Sequence, residues 1–96
     1  MLVLVSYDVA ITSEGGTKRL RRVAKVCMDY GQRVQNSVFE CILDNSQFVI
    51  LKKKLTDEID EKQDSLRFYF LGNNYKTKVE HIGTKPSIDM EGLLML

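Results

Sequence analysis

Ninety-six residues, 44% hydrophobic and 28% charged with a single proline, describe one small globular domain and exclude collagen-like, low-complexity and disordered classes. A chain this short buries only about 60–65% of the surface its unfolded form exposes, so a partner surface would add to a thin core. Fourteen Lys+Arg against thirteen Asp+Glu leave a net charge of +1, which by itself neither argues for nucleic acid nor excludes it.

The chain opens on Met1-Leu2-Val3-Leu4-Val5, far shorter than the apolar core of a secretory signal and with no basic residues before it. Neither a signal nor a membrane span is predicted. Leu2 to Asp8 reads as a strand, with Leu2, Leu4, Ser6 and Asp8 on one face and Val3, Val5 and Tyr7 on the other. Apolar residues on both faces at its start predict a central strand. Val9 to Gly16 is a loop, broken by Thr12, Ser13 and Gly15-Gly16. A helix is then expected from about Gly16 to Tyr30, stopping at Gly31. Leu20, Val23, Ala24 and Cys27 form its apolar stripe, while Lys18, Arg21, Arg22 and Lys25 crowd the opposite side. Arg19 falls at the boundary between the two, in the first turn.

Arg33 to Asp44 is rich in β-branched and aromatic residues and reads as two short strands or one bent strand, with the break near Asn36-Ser37. From Asn45 or Ser46, either a good N-cap, a second helix is expected to run to about Glu61. Phe48, Leu51, Leu55 and Ile59 line its core face, and Ile50 falls off it. Ser65 to Leu71 alternates as a strand, and Gly72-Asn73-Asn74 is a turn. The rest is polar apart from Val79 to Ile82, a late extra strand, and the apolar end Leu93 to Leu96. This order predicts an α+β, ferredoxin-like βαββαβ sandwich over residues 1–75, with a C-terminal tail or strand over 76–96. Both helices should cover one face of an antiparallel sheet. The other face then calls for a partner, most simply a second copy that makes a homodimer.

Asp8 stands at the exit of a buried strand beside a glycine-containing loop, where a carboxylate suits a hard cation such as magnesium. One carboxylate is a poor site. A two-fold axis near this strand end would bring two Asp8 side chains together, and a shared cation would relieve their repulsion. The position equally suits an aspartate that satisfies backbone donors of the loop it enters. From Gly16 to Gln35, the six positives Lys18, Arg19, Arg21, Arg22, Lys25 and Arg33 outweigh Asp29 to give +5, leaving −4 on the other 76 residues. Such asymmetry suits a phosphate backbone, and it also suits a merely solvated helix face. No aromatic residues interleave with these basics, which favours contacts to a duplex backbone over stacking on single-stranded bases.

Arg19, near the loop after Asp8, and Arg33, opening a strand of the same sheet, could each steady a phosphate beside the cation or be ordinary surface arginines. His81, the single histidine, reads as a surface residue. Lys52-Lys53-Lys54 with Asp57, Glu58, Asp60 and Glu61 reads as a solvated helix flank with i,i+4 pairing. Cys27 and Cys41 fall at core positions and read as small buried hydrophobes. Without a C-x-x-C pair or histidine cluster they predict neither a disulfide framework nor a zinc site, and the expected compartment is the reducing cytoplasm.

Four stretches together resemble a known family: Tyr7-Asp8 ending an apolar strand, the basic TKRLRRVAK, the run Gly31-x-Arg33-Val34-Gln35-x-Ser37-Val38-Phe39-Glu40, and Leu66-Arg67-x-Tyr69-x-Leu71. They look like CRISPR-associated protein two, the small subunit that partners the adaptation integrase, and GNNYKTKVEHIGTKPS looks like one subtype of it. The resemblance covers nearly the whole chain. It implies a ferredoxin-like homodimer with sheets packed face to face and a C-terminal segment that crosses to extend the partner's sheet. It also implies a magnesium (or manganese) site built from paired Asp8 residues, with metal-dependent cleavage of RNA or double-stranded DNA. Carried over by position, Asp8 matches the metal ligand, and Tyr7, Arg19, Arg33, Ser37 and Phe39 match residues placed near that site. The helix bearing Lys18, Arg19, Arg21, Arg22 and Lys25 is similarly placed to contact double-stranded DNA.

Two functions of different kinds meet these expectations. One is a slow metal-dependent phosphodiesterase, slow because no convincing second acid or base accompanies Asp8. The other is a dimeric module that holds double-stranded DNA between integrase subunits and needs no chemistry of its own. The module is favoured as the biological role, with nuclease chemistry beside it. A ferredoxin-like dimer binding a small regulator is a third reading, disfavoured by the basic helix.

Overall fold

β-branched and aromatic residues at alternate positions form strands in each stretch where they recur, and the 3.6-residue apolar rows form helices. The computed structural model describes residues 1–71 and 77–84, the side chains of 77 and 78 excepted. It orders them as β1 (Leu2–Asp8), α1 (Gly16–Tyr30), β2 (Gln32–Gln35), β3 (Val38–Ile42), α2 (Asn45–Glu58), β4 (Ser65–Leu71) and β5 (Thr77–Gly83). The sheet order is β2-β3-β1-β4-β5, every neighbouring pair antiparallel. The first four strands make the ferredoxin-like arrangement, and β5 extends it beyond β4. This strand pairs within its own chain, Tyr69 opposite Val79 and Arg67 opposite His81. The Gly72-to-Asn74 turn and the apolar end Leu93 to Leu96 lie outside the described residues.

Alternation along the strands separates the two sheet faces. Val3, Val5, Phe39, Cys41, Leu66 and Phe68 are buried with Val23 and Cys27 of α1 and Leu51 and Leu55 of α2 in one core. On the opposite face Leu2, Leu4 and Ser6 are half-buried and Ile42 is 79% exposed. Ser65, Arg67 and Tyr69, which share that face, are buried. β2 is an edge strand whose four residues are all exposed, and its register with β3 shifts between Arg33 and Gln35. No helix among the described residues is long and apolar enough to cross a membrane.

The start of α1 depends on glycine. Gly15 sits in the left-handed region at φ 75°, where a side chain is strained. A Cβ on Gly16 would land on the Ala10 carbonyl oxygen, so the loop after β1 can close against the helix only with glycine there. α2 begins differently from the sequence expectation. Its N-cap is Asp44, rather than Asn45 or Ser46: the Asp44 side chain accepts from Gln47 N at 2.7 Å, and Gln47 Oε1 accepts from Asp44 N at 2.9 Å. Gln47 three residues on makes this reciprocal pair available only to Asp44. The helix also ends at Glu58 instead of Glu61, because Ile59 turns extended and residues 60–63 wrap back toward Asp64. Ile50 lies outside the core face, 49% exposed.

Both cysteines are buried thiols. Burial pushes the Cys27 thiol up to about 12, helped by Cys41 and opposed by Arg33, and burial raises Cys41 as well. A thiol held protonated is a poor nucleophile. Iodoacetamide at pH 8 is therefore expected to leave both cysteines unmodified in native protein and to alkylate both in denaturant, as read by intact mass. Rapid native alkylation would contradict this packing.

Candidate functional site

β1 outlasts its neighbour on one side. Its pairing with β3 stops at Ser6 opposite Val38, whereas its pairing with β4 continues to Asp8 opposite Ser65. Asp8 is therefore exposed at the end of the central strand, on the face away from the helices. Tyr7 points the other way and is buried. Its backbone N–H donates to Ser37 O at 3.1 Å and its hydroxyl to Asn36 O at 3.3 Å. The ring stacks on Phe39 with centroids 6.2 Å apart, and the Arg33 guanidinium lies over Phe39 at 5.1 Å. Burial holds the Tyr7 hydroxyl above its ordinary value, with Cys27 adding to the shift and Arg33 opposing it.

Tyr7, Arg33, Ser37 and Phe39 thus form one cluster behind Asp8. Arg33 pairs in register with Phe39 and shares its helix-side face, so the sheet separates the Arg33 guanidinium from the face that carries Asp8. Arg33 does lie in the same sheet as Asp8, and strand alternation puts the two side chains on opposite faces.

Arg19 is taken up elsewhere. Its Nε donates to Asp64 Oδ2 at 2.8 Å and its Nη2 to Asp64 Oδ1 at 3.3 Å, while Nη1 reaches Glu14 O and Nη2 also reaches Ser13 Oγ. Four hydrogen bonds from a group with five donors commit this guanidinium to the protein. Asp64, fully buried, is the residue that sequence reasoning missed. Its carboxylate also accepts from Ala10 N at 2.9 Å and Asp60 N at 2.8 Å. Burial alone would raise the Asp64 carboxyl, but the Arg19 guanidinium and the two backbone N–H groups hold it below the usual carboxylate range.

Lys18, Arg21, Arg22 and Lys25 stand exposed along α1 around a shallow groove of ≈ 230 Å³. Among the described residues none of the four is in an ion pair. The lysines of α2 are different: Lys52 pairs with Glu80 of β5 at 2.5 Å, Lys53 with Asp57 at 2.8 Å, and Lys54 lies over the Tyr30 ring at 5.2 Å. His81, expected at the surface, is half-buried because its register sets it against Arg67, whose Nε donates to His81 Nδ1 at 3.0 Å.

Among the described residues no three His, Cys, Asp or Glu side chains gather to hold a metal ion within one protomer. Asp8 alone fits magnesium in its donor chemistry, since that ion keeps several waters and is commonly held by one or two carboxylates.

Comparison with known proteins bears on this site. The family described as CRISPR associated protein Cas2 matches residues 1–79. The chain belongs to the Cas2 family. The CRISPR-associated endonuclease Cas2 of Halalkalibacterium halodurans is 70% identical over 95 residues, 99% of each chain. The CRISPR-associated endoribonuclease Cas2 of Nitratidesulfovibrio vulgaris is 58% identical over 96 residues, 100% of this chain and 94% of that one. Among solved structures, Streptococcus pyogenes Cas2 at pH 6.5 is 61% identical with a TM-score of 0.70, over 78% of this chain and 90% of that one. The fold and the CRISPR-associated family that the sequence resembles are both upheld.

Proposed function

We propose that this chain is a CRISPR adaptation subunit whose homodimer binds double-stranded DNA and scaffolds the integrase, with slow magnesium- or manganese-dependent phosphodiester cleavage at paired Asp8 residues. The basic row of α1 carries the reading. Four exposed cations with no ion-pair partner among the described residues, on a helix whose neighbour has its lysines engaged, are available to neutralise phosphates. The names of the Cas2 relatives, endonuclease and endoribonuclease, support the nuclease component. Buried unpaired cysteines fit the reducing cytoplasm.

For cleavage, two Asp8 carboxylates across a two-fold axis would hold the cation that neither holds well alone. When bound, that cation would polarise the scissile phosphate and lower the pKa of a bound water. Tyr7 keeps its proton at neutral pH and is no base. Arg33 lies over Phe39 on the opposite sheet face from Asp8 and supports the strand end from behind. Arg19 acts on the site only through Asp64. With no second acid or base in this set, the reaction is slow.

The test is duplex binding by the Arg21→Glu/Arg22→Glu/Lys25→Glu variant. Wild type is expected to show log K falling with log salt at a slope of about −3.6 if four phosphates are neutralised. The variant should bind at least about tenfold more weakly, at a cost above 1.4 kcal/mol. A flat salt response in wild type would contradict phosphate binding. In cells, spacer acquisition that survives Asp8→Ala and fails in the triple variant would assign the biological role to DNA holding rather than to cleavage.

A further inference from the structure

We infer that Asp64 is a positioning residue for Asp8: its buried carboxylate fixes the end of the central strand so that two symmetry-related Asp8 side chains can share a divalent cation. This deepens the metal-site reading of Asp8 and rests on it.

Asp8 lies past the β1–β3 ladder, which ends at Ser6, and pairs with Ser65 of β4. Two residues beyond Asp8, the Ala10 N–H is held by Asp64 Oδ1 at 2.9 Å. The residue after Asp64 is Ser65, the partner of Asp8 in the sheet. Asp64 therefore grips β1 across the sheet, through the strand that starts at the next residue, and along the chain, through its side chain. The grip has its own anchors. Arg19 Nε and Asp60 N bind the other carboxylate oxygen at 2.8 Å each. The Asp64 N–H donates to Asp60 O at 2.7 Å, and Thr84 N donates to Asp64 O at 3.1 Å at the end of β5. One residue ties together the loop after β1, the start of α1, the turn after α2 and the close of β5.

Asp64 stabilises the fold by satisfying Arg19 and the Ala10 and Asp60 N–H groups, and the same bonds fix the geometry of the strand end. Magnesium demands oxygens at about 2.0–2.1 Å. In a symmetric pair, a shift of one Asp8 is repeated by its mate, so the error in carboxylate separation doubles.

Direct Mn²⁺ binding to the full chain, followed by the EPR signal of the unbound ion, tests this without any cleavage assay. Wild type is compared with Asp8→Asn, Asp64→Asn, Arg19→Lys and Phe48→Ala. Phe48 packs on Phe68 and Phe70 at 5.3 and 4.9 Å, toward the opposite end of β4 from Ser65. Its truncation destabilises the fold without touching the Asp64 cluster. The expected order is loss of binding in Asp8→Asn, about tenfold weaker binding in Asp64→Asn and several-fold in Arg19→Lys, with Phe48→Ala at wild-type affinity. Should Asp64→Asn fail to fold, Arg19→Lys decides. Wild-type affinity in folded Asp64→Asn and Arg19→Lys, with Asp8→Asn inactive in binding, overturns the inference alone. Equal weakening in Phe48→Ala also overturns it, since the effect would then be general loosening. Wild-type binding by Asp8→Asn overturns the metal-site reading and this inference with it.

Discussion

Replacing Asp8 by Asn is expected to lower metal-dependent phosphodiester cleavage by about a hundredfold or more while leaving the fold intact. The substitution keeps the side chain's shape and removes the charge that a hard cation requires. Asp8 is exposed at the strand end, and exposed substitutions usually change stability by no more than about 0.5 kcal/mol. A second signature follows from symmetry. In a dimer with facing carboxylates, removing both charges relieves repulsion, so magnesium should raise the melting temperature of wild type and not that of Asp8→Asn. Cleavage of a labelled duplex with and without magnesium, run beside thermal melts, reads both effects. Undiminished cleavage by the variant would dismiss Asp8 as the metal ligand.

The second large effect belongs to Asp64→Ala, expected to cost about 3–5 kcal/mol, the usual penalty for removing one member of a buried ion pair. Truncation strands the Ala10 and Asp60 N–H groups and leaves Arg19 without its carboxylate. The pH dependence has a definite sign. Burial pushes the Asp64 carboxyl up, but Arg19 and the two N–H groups outweigh it and the folded value lies below the ordinary one. A depressed carboxylate contributes stability that is complete above its unfolded pKa of about 3.9 and disappears as pH falls through the lower folded value. Asp60, lowered chiefly by hydrogen bonds from Gln63 and Lys62 N, adds to the trend in wild type and in Asp64→Asn alike. Urea titrations should therefore show a constant gap between wild type and Asp64→Asn from neutrality to about pH 5, closing below about pH 4. A gap that widens in acid would contradict the assignment.

Much of this molecule is written in local pattern. Alternation in Leu2–Asp8 and Ser65–Leu71 and the stripe through Val23 and Cys27 give three elements with the observed bounds. The break at Asn36-Ser37 resolves into two strands. Asp8 at the strand exit and the basic row of α1 are equally legible, because each depends only on residues near it in the chain. Asp64 is hidden for the opposite reason. Its partners Ala10 and Arg19 lie 54 and 45 residues away, and no periodicity reports a pair so distant. The acidic stretch after Lys54 conceals it further by resembling a solvated flank. The one local hint was Arg19, which fitted neither the apolar stripe nor the basic face. The Tyr7 cluster shows the complementary limit: sequence supplies its members, but only the pairing of Arg33 with Phe39 shows on which side of the sheet they meet.

The outer margin of the sheet at β2 has a consequence for handling as well as for function. Its four exposed residues are Gln32, Arg33, Val34 and Gln35, and the shift between Arg33 and Gln35 breaks their hydrogen-bond spacing. An irregular, charged border makes a poor template for another chain's backbone. Concentrated solutions should resist fibril formation through this edge.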